Sequence, residues 1–235
     1  PPNTSSAASD VYKRQPREHL RFLFLGMALF STNFALFYNA SLYLASGLLA
    51  VILSMSSLIN VLLVAAINRR PPPLMQVVAA IVGLVGLGLI FAPEFKTLPT
   101  AGIAVAYGVL ATFSFCIGNL LSSDSQRRGV PVLASTSWGM VYGMLFMAII
   151  AFLRGHPFII DMSPSYLFSL VWLILISSVM TFACYLSLVG RIGPGRAAYA
   201  TVVFPVFALL ISARYEGYEW SVAALSGLAL VIVGN

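Results

Sequence analysis

The stretch "GPGRAAYATVVFPVFALLISARYEG" (residues 193–217) sets two arginines, Arg196 and Arg214, on either side of seventeen residues without a formal charge. Pro205 stands in the middle of them. Seventeen residues of α-helix rise about 26 Å, a little short of the roughly 30 Å hydrocarbon core of a bilayer. Arginines at the two ends can snorkel to the interfaces and make up the difference. Proline inside a helix removes a backbone donor and clashes with the preceding turn. In a membrane, freed backbone groups are tolerated only against protein or along a cavity. The stretch therefore reads as a membrane span with a deformable point at Pro205, placed beside a cavity or at a packing kink.

The rest of the chain repeats this layout. Its 235 residues are 60% hydrophobic and 9% charged, with mean hydropathy +0.94. A soluble domain carries about 25% charged residues, so a water-facing surface cannot be covered. Residues 22–68, 71–93, 97–123, 129–153, 162–190, 197–213 and 220–235 contain no Asp, Glu, Lys or Arg. The first block is long enough for two spans of about 20 residues, divided near Asn39–Ser46. Eight helices follow, near 20–40, 46–67, 74–92, 99–121, 131–153, 165–188, 197–213 and 220–235. No ten-residue alternating segments of the transmembrane-barrel type are present. The fold class is all-α integral membrane, a polytopic helical bundle.

The net charge of +6 follows topology and does not point to nucleic acid. Alternating loops put Arg17, Arg21, Arg69, Arg70, Arg127, Arg128, Arg191 and Arg196 on one side. Lys96, Arg154 and Arg214 fall on the other. The richer side is cytoplasmic by the positive-inside rule. Tyr43, Tyr166, Tyr215, Tyr218 and Trp220 then gather at the outer interface, where amphipathic rings are favoured. Cys116 and Cys184 fall inside spans and read as small hydrophobes, with no disulfide expected. His19 and His156 lie in loops on opposite sides, so no metal site can be assembled from them. No metal and no cofactor is expected.

Residues 1–15, "PPNTSSAASDVYKRQ", lack a starting Met and an apolar signal core. They read as a tail that is disordered or foreign to the protein, and are set apart from the fold. Both ends of the chain read as truncated.

Transporters are often built from inverted repeats, and a shift of 147 residues aligns the chain with itself. Ser31 falls on Ser178, Tyr38 on Tyr185, Ala50 on Ala197, Leu62 and Leu63 on Leu209 and Leu210, and Ala66 on Ala213. One further residue of shift brings Ala79 onto Gly227 and Gly86 onto Gly234. Three helices recur in order, with two helices between the copies that have no upstream counterpart. The expected division is residues 16–92 as the last three helices of a first five-helix repeat and 93–235 as a second repeat, its last helix cut short. The complete protein would have ten helices.

The segment "GRAAYATVVFPVFALLISARYEGYEWSVAALSGLALVIVGN" resembles the end of the second repeat of an EamA-type transporter of the drug/metabolite transporter superfamily. Pro205, the Gly/Glu-bearing turn at Glu216–Glu219, and Gly227 and Gly234 carry the likeness. "GNLLSSDSQRRGVPVLASTSWGMVYG" (118–143) is similar to the link between the first two helices of that repeat. The first copy departs from the pattern, with Leu58 where the proline would align and Asn68–Arg69–Arg70 in place of the Gly-Glu turn. The resemblance implies alternating access and transport of a small organic metabolite, with export favoured, by a multi-pass protein of the bacterial inner membrane. The expected partners are a small-molecule substrate and the lipid bilayer, with room for a homodimer.

Polar groups in a bilayer are costly and usually face the bundle interior. Ser178, Thr181 and Tyr185 share one helical face, and Ser31 and Tyr38 reproduce part of it in the other copy, with Asn33 nearby. Ser56, Ser57 and Asn60 follow on 46–67, Tyr107, Ser114 and Gly118 on 99–121, and Trp138 and Tyr142 on 131–153. Tyr199 and Pro205 complete the set. The candidate substrate contacts are Asn33, Tyr38, Asn60, Tyr107, Trp138, Tyr142, Thr181, Tyr185, Tyr199 and Pro205, an aromatic cavity with a few orienting polar groups. Helix packing through small residues competes with that reading and is favoured for Ser114 and Gly118. The predicted spans hold no carboxylate or histidine. That argues against an enzyme, which needs a nucleophile with its base or clustered metal ligands. It also leaves proton coupling without a visible residue. A non-transporting scaffold or receptor stays open as the alternative, and a lipid-carrier flippase or sugar-nucleotide carrier would have only Arg196 to meet an anion.

Overall fold

A computed structural model describes residues 16–97, 99–155, 159–197, 200 and 204–234. Residues 1–15, His156 and Tyr199 lie outside the described residues. Every regular element among those described is helical. Helix α1 comprises Pro16–Leu25, a π-helical Gly26–Thr32 and Asn33–Ser41. Helix α2 comprises Ser46–Ser54 and Ser56–Ile67, interrupted at Met55. There follow α3 (Leu74–Thr97), α4 (Ala101–Arg127) and α5 (Val132–Leu153). Helix α6 comprises Pro164–Trp172, a π-helical Leu173–Met180 and Thr181–Ile192. A helical turn at Pro194–Ala197 precedes α7 (Phe204–Tyr215), and α8 is Val222–Gly234.

Among the described residues, six helices are long and apolar enough to cross a membrane: Glu18–Ser41, Ser46–Ile67, Leu74–Pro93, Ala101–Arg127, Val132–Leu153 and Pro164–Ile192. Among the described residues α7 and α8 are apolar but shorter, at 12 and 13 residues. The chain is a polytopic helical membrane protein.

Local chemistry sets the helix ends. Pro164 opens α6 at its first turn, where the missing N–H costs nothing. Gly129 closes α4 at φ +78°, and Gly129 N–H and Val130 N–H bond back to Gln126 and Ser125, the Schellman pattern. Arg69 makes the same closure of α2 at φ 51°, with Arg69 and Arg70 N–H on Ala66 and Ala65. The end of α2 thus takes a left-handed turn without the glycine that Gly217 (φ +70°) supplies after α7.

Two helices run past the expected spans. Helix α1 begins at Pro16 and takes in Glu18 and His19, and α4 continues to Arg127 and takes in Asp124. The expectation of spans without acid or histidine is corrected: the candidate span Glu18–Ser41 starts on both. Charges at a helix end reach the interface and do not shorten the helix, which is why charge-free blocks underestimate helix length.

The chain forms two compact units. The first gathers the described residues up to Ser31 with Gly118–Arg191, the second Thr32–Ile117 with Ile192–Asn235. Helices α1 and α4 each contribute to both. In the first unit, α1 meets α5 along a glycine seam: a Cβ on Gly26 would strike Gly139 O and Gly143 N. Gly118 of α4 is filled by Leu29 in the same way, so it serves packing. In the second unit, α3 packs on α8, with Gly86 against Gly227 and Gly234 against Ala79 and Gly83. The apolar core there runs through Leu48, Ile52, Ile90, Phe91, Leu209 and Val231.

Candidate functional site

In the first unit, the α1–α5 seam carries an aromatic cluster. Trp138 and Tyr142, one turn apart on α5, stack with centroids 6.0 Å apart at 29°. His19 Nδ1 lies 2.9 Å from Tyr142 Oη. The imidazole stands edge-on to Trp138 at 4.8 Å and to Phe22 at 5.6 Å. Only the close approach at Gly26, Gly139 and Gly143 lets rings from the two helices touch.

Helices α4 and α6 are joined by two carboxamides that the sequence reading passed over. Asn119 Nδ2 donates to Tyr185 Oη at 3.2 Å, and Gln126 Nε2 donates to Leu186 O at 2.8 Å. Asn119 is fully buried and its Oδ1 has no partner among the described residues. The signal was in the sequence, since a carboxamide inside "CIGNLLSS" (116–123) is as costly in a bilayer as the aromatic hydroxyls that were chosen. Thr181 is different. It is exposed, and its hydroxyl bonds back to Ile176 O at 2.8 Å, five residues away. The π-helical stretch before it breaks the 3.6-residue period, so Ser178, Thr181 and Tyr185 do not form the regular α-helical face expected of them.

In the second unit, α4 supports the break in α2. Thr112 Oγ1 reaches Ile52 O at 3.5 Å and Cys116 Sγ reaches Ser56 O at 3.5 Å. Asn60, one turn further on, is fully buried and neither its amide nitrogen nor its oxygen has a hydrogen-bond partner among the described residues. A buried polar group left unpaired costs about 1–3 kcal/mol, so this is a position that a bound polar group would satisfy. Asn33 is buried, and Pro205 is buried near the start of the described part of α7. Tyr107 is half-buried against the apolar core. Tyr38 is 65% exposed and stacks on Phe34. The structure therefore places Trp138, Tyr142, Thr181 and Tyr185 in the first unit, and Asn33, Tyr38, Asn60, Tyr107 and Pro205 in the second.

The Gly/Glu turn after α7 has a definite task. No side chain caps α2 from within its own N-terminal turn. Glu216 Oε2 accepts from Ser46 N–H at 2.8 Å and from Ser212 Oγ at 2.7 Å, and Ser212 Oγ accepts from Gly47 N–H at 2.8 Å. Two orphan donors of α2 are thus met by α7 and the residue that follows it, and a carboxylate stands where the helix dipole is positive. The Ser212 hydroxyl, with the hydroxyl and N–H of Ser46, holds the Glu216 carboxyl below its usual range against the opposing effect of partial burial. Beside this cap lies an open groove of about 400 Å³, walled by Tyr43, Tyr218 and Trp220. Among the described residues, no group of histidines, cysteines and carboxylates has the arrangement to hold a metal.

Comparison with known proteins accords with these features. Residues 102–235 match the EamA-like transporter family. The chain is 26% identical over 212 residues to Protein PecM of Dickeya dadantii (strain 3937), covering 90% of this chain and 69% of that protein. A solved crystal structure shares the fold at TM-score 0.61 and 15% identity, over 98% of this chain and 90% of its own. With a family match over more than half its length and six helices fit to cross a membrane, the chain belongs to the EamA-like transporter family of the drug/metabolite transporter superfamily, a multi-pass integral membrane protein.

Proposed function

We propose that the protein carries a small organic metabolite across a bacterial plasma membrane by alternating access on a scaffold of two inverted five-helix repeats. The observation that carries this reading is a symmetry in the contacts. Under the 148-residue shift, Ala79 corresponds to Gly227 and Gly86 to Gly234, and the contact of Ala79 with Gly234 becomes that of Gly227 with Gly86. Both contacts are present. The 147-residue shift likewise takes the contact of Gly47 with Leu209 to within one residue of that between Gly195 and Val61. It also takes the π-helical Gly26–Thr32 onto the start of the π-helical Leu173–Met180. Interfaces in which i meets j and j meets i belong to two-fold pairing. Between inverted copies, that pairing gives the two equivalent states alternating access requires. The same correspondence supports the division at residues 92 and 93 and eight crossings in this chain.

The substrate contacts follow from chemistry. Trp138 and Tyr142 offer an apolar wall, and the Asn119–Tyr185 pair of the same unit offers an acceptor oxygen. In the other unit, Asn60 offers a donor and an acceptor of its own. Asn33, Tyr38, Tyr107, Thr181, Tyr199 and Pro205 belong to the same proposal. The test is counterflow by the full-length protein in proteoliposomes, screened with amino acids, nucleosides, amines and short peptides. Saturable exchange, weakened several-fold by Tyr185→Ala, is expected. Absence of exchange with every solute would overturn transport in favour of a scaffold or receptor, and exchange indifferent to Tyr185→Ala would move the site.

A further inference from the structure

The His19 cluster has chemistry that substrate contact alone does not use. Histidine is the side chain whose ordinary charge change falls between about pH 5 and 8. Here it stands at the start of a candidate span, at the interface end of α1, with Nδ1 on the hydroxyl of Tyr142 and its ring against Trp138. We propose that His19 is the proton-binding residue of the transport cycle and that Tyr142 converts its charge state into a change in what the site offers a ligand. This rests on the transporter reading above.

The conversion follows from donor and acceptor bookkeeping. When neutral imidazole presents a bare Nδ1, Tyr142 donates its O–H to it, and only the lone pairs of the phenol oxygen face a ligand. Once His19 is protonated, Nδ1 becomes a donor, Tyr142 Oη accepts, and its O–H is released. A solute acceptor, such as a carboxylate or carbonyl oxygen, then meets a donor and a nearby positive charge. Proton and acceptor-bearing solute therefore favour each other's binding.

The surrounding charges leave His19 this role. On α1, Glu18 Oε1 is held by Arg21 Nη1 at 3.3 Å, and Glu18 Oε2 is buried without a partner among the described residues. Facing His19 from α5, the titratable group is Tyr142, since residues 129–153 carry no formal charge. On α4, Asp124 is turned to Arg128 at 2.9 Å. Facing α1 from α6, Phe182 meets Phe30 edge to face and brings no charge.

The test begins without a substrate. In the full-length protein with every tryptophan but Trp138 replaced by phenylalanine, Trp138 emission should fall on acidification, because an adjoining imidazolium quenches indole. His19→Gln should abolish the titration, and Tyr142→Phe should keep it with a displaced midpoint. Counterflow of whichever solute the screen identifies should follow the same midpoint and become flat with pH in His19→Gln. Emission that does not titrate, or still titrates in His19→Gln, overturns the proton site. A counterflow profile in His19→Gln that coincides with wild type overturns its place in the cycle. If no solute exchanges, the transporter reading falls by itself, and with it that place in the cycle, while the emission titration still decides whether His19 binds a proton.

Discussion

At Ser212 a single hydroxyl holds three groups. It donates to the Glu216 carboxylate, accepts from Gly47 N–H and lies 3.3 Å from Ser46 Oγ, with no exposed surface. Ser212→Ala leaves a buried N–H without its acceptor, a loss of about 1–3 kcal/mol. A lower midpoint of thermal unfolding in detergent is the expected result, and an unchanged midpoint would remove the cap from the account. Glu216→Gln keeps the shape and loses the charge at the helix N-terminus, which costs about 0.3–1 kcal/mol at low ionic strength. The pH dependence has a fixed sign. Because the folded protein lowers the Glu216 pKa, the contribution is present above the ordinary carboxylate value of about 4. It is lost as pH falls through the lower, folded value. Wild type should therefore lose its margin over Glu216→Gln on acidification below about pH 4. Arg69 presents the opposite case, a left-handed residue with a side chain. Arg69→Gly should stabilise by about 1 kcal/mol, and Arg70 keeps a positive charge in the loop.

At the scale of elements, the α3–α8 pair depends on the absence of side chains at particular turns. A Cβ on Gly227 would stand 2.5 Å from Gly86 O and 2.7 Å from Ile90 Cγ1, whereas one on Gly88 would meet nothing within 4 Å. Gly227→Ala should destabilise by about 1–3 kcal/mol through overpacking. Gly88→Ala should stabilise by up to about 1 kcal/mol through helix propensity. Unfolding midpoints of the two variants that move together would refute the seam. The positions of these helices were legible in the sequence because uncompensated charge is expelled from a bilayer, so seven charge-free blocks outlined the bundle. Their ends were less legible: Glu18, His19 and Asp124 sit where a helix continues beyond the hydrocarbon, and a charge map stops there. The π-helical stretches leave no trace in composition, so the face drawn through Ser178, Thr181 and Tyr185 used the wrong period. Asn60 was visible as a lone amide in an apolar run. Asn119 gave the same signal and was missed, because the search followed aromatic and hydroxyl stripes.

At the scale of the whole molecule, the directions of the helix contacts in the second unit and the charges of the loops are both what the proposed alternation expects. Ile52 meets Gly108 and Thr112, and Ser56 meets Cys116; the numbers rise together, so α2 and α4 run the same way. For α1 and α5, His19, Gly26 and Phe30 all meet residues between Gly139 and Gly143, so these two helices cross at that point. The numbers run oppositely for α3 with α8, where Gly86 meets Gly227 and Gly83 meets Gly234, and for α2 with the stretch from Gly195 into α7, where Val61 meets Gly195 and Gly47 meets Leu209. These three relations, all inside the second unit, are what the proposed eight alternating crossings would give. Under that proposal Arg69, Arg70, Arg127 and Arg128 would stand on one side and the Glu216–Trp220 turn on the other, and the positive-inside rule would make the first side cytoplasmic. Cys116 is buried and Cys184 is exposed, so Cys184→Ser gives a quiet background for labelling. In intact bacteria expressing the full-length protein, a membrane-impermeant maleimide should label Glu219→Cys at once and Arg128→Cys only after permeabilisation. The reverse pattern would invert the orientation while keeping the helix count. Labelling of both from the same side would break the alternation, and with it the inverted pairing on which alternating access depends.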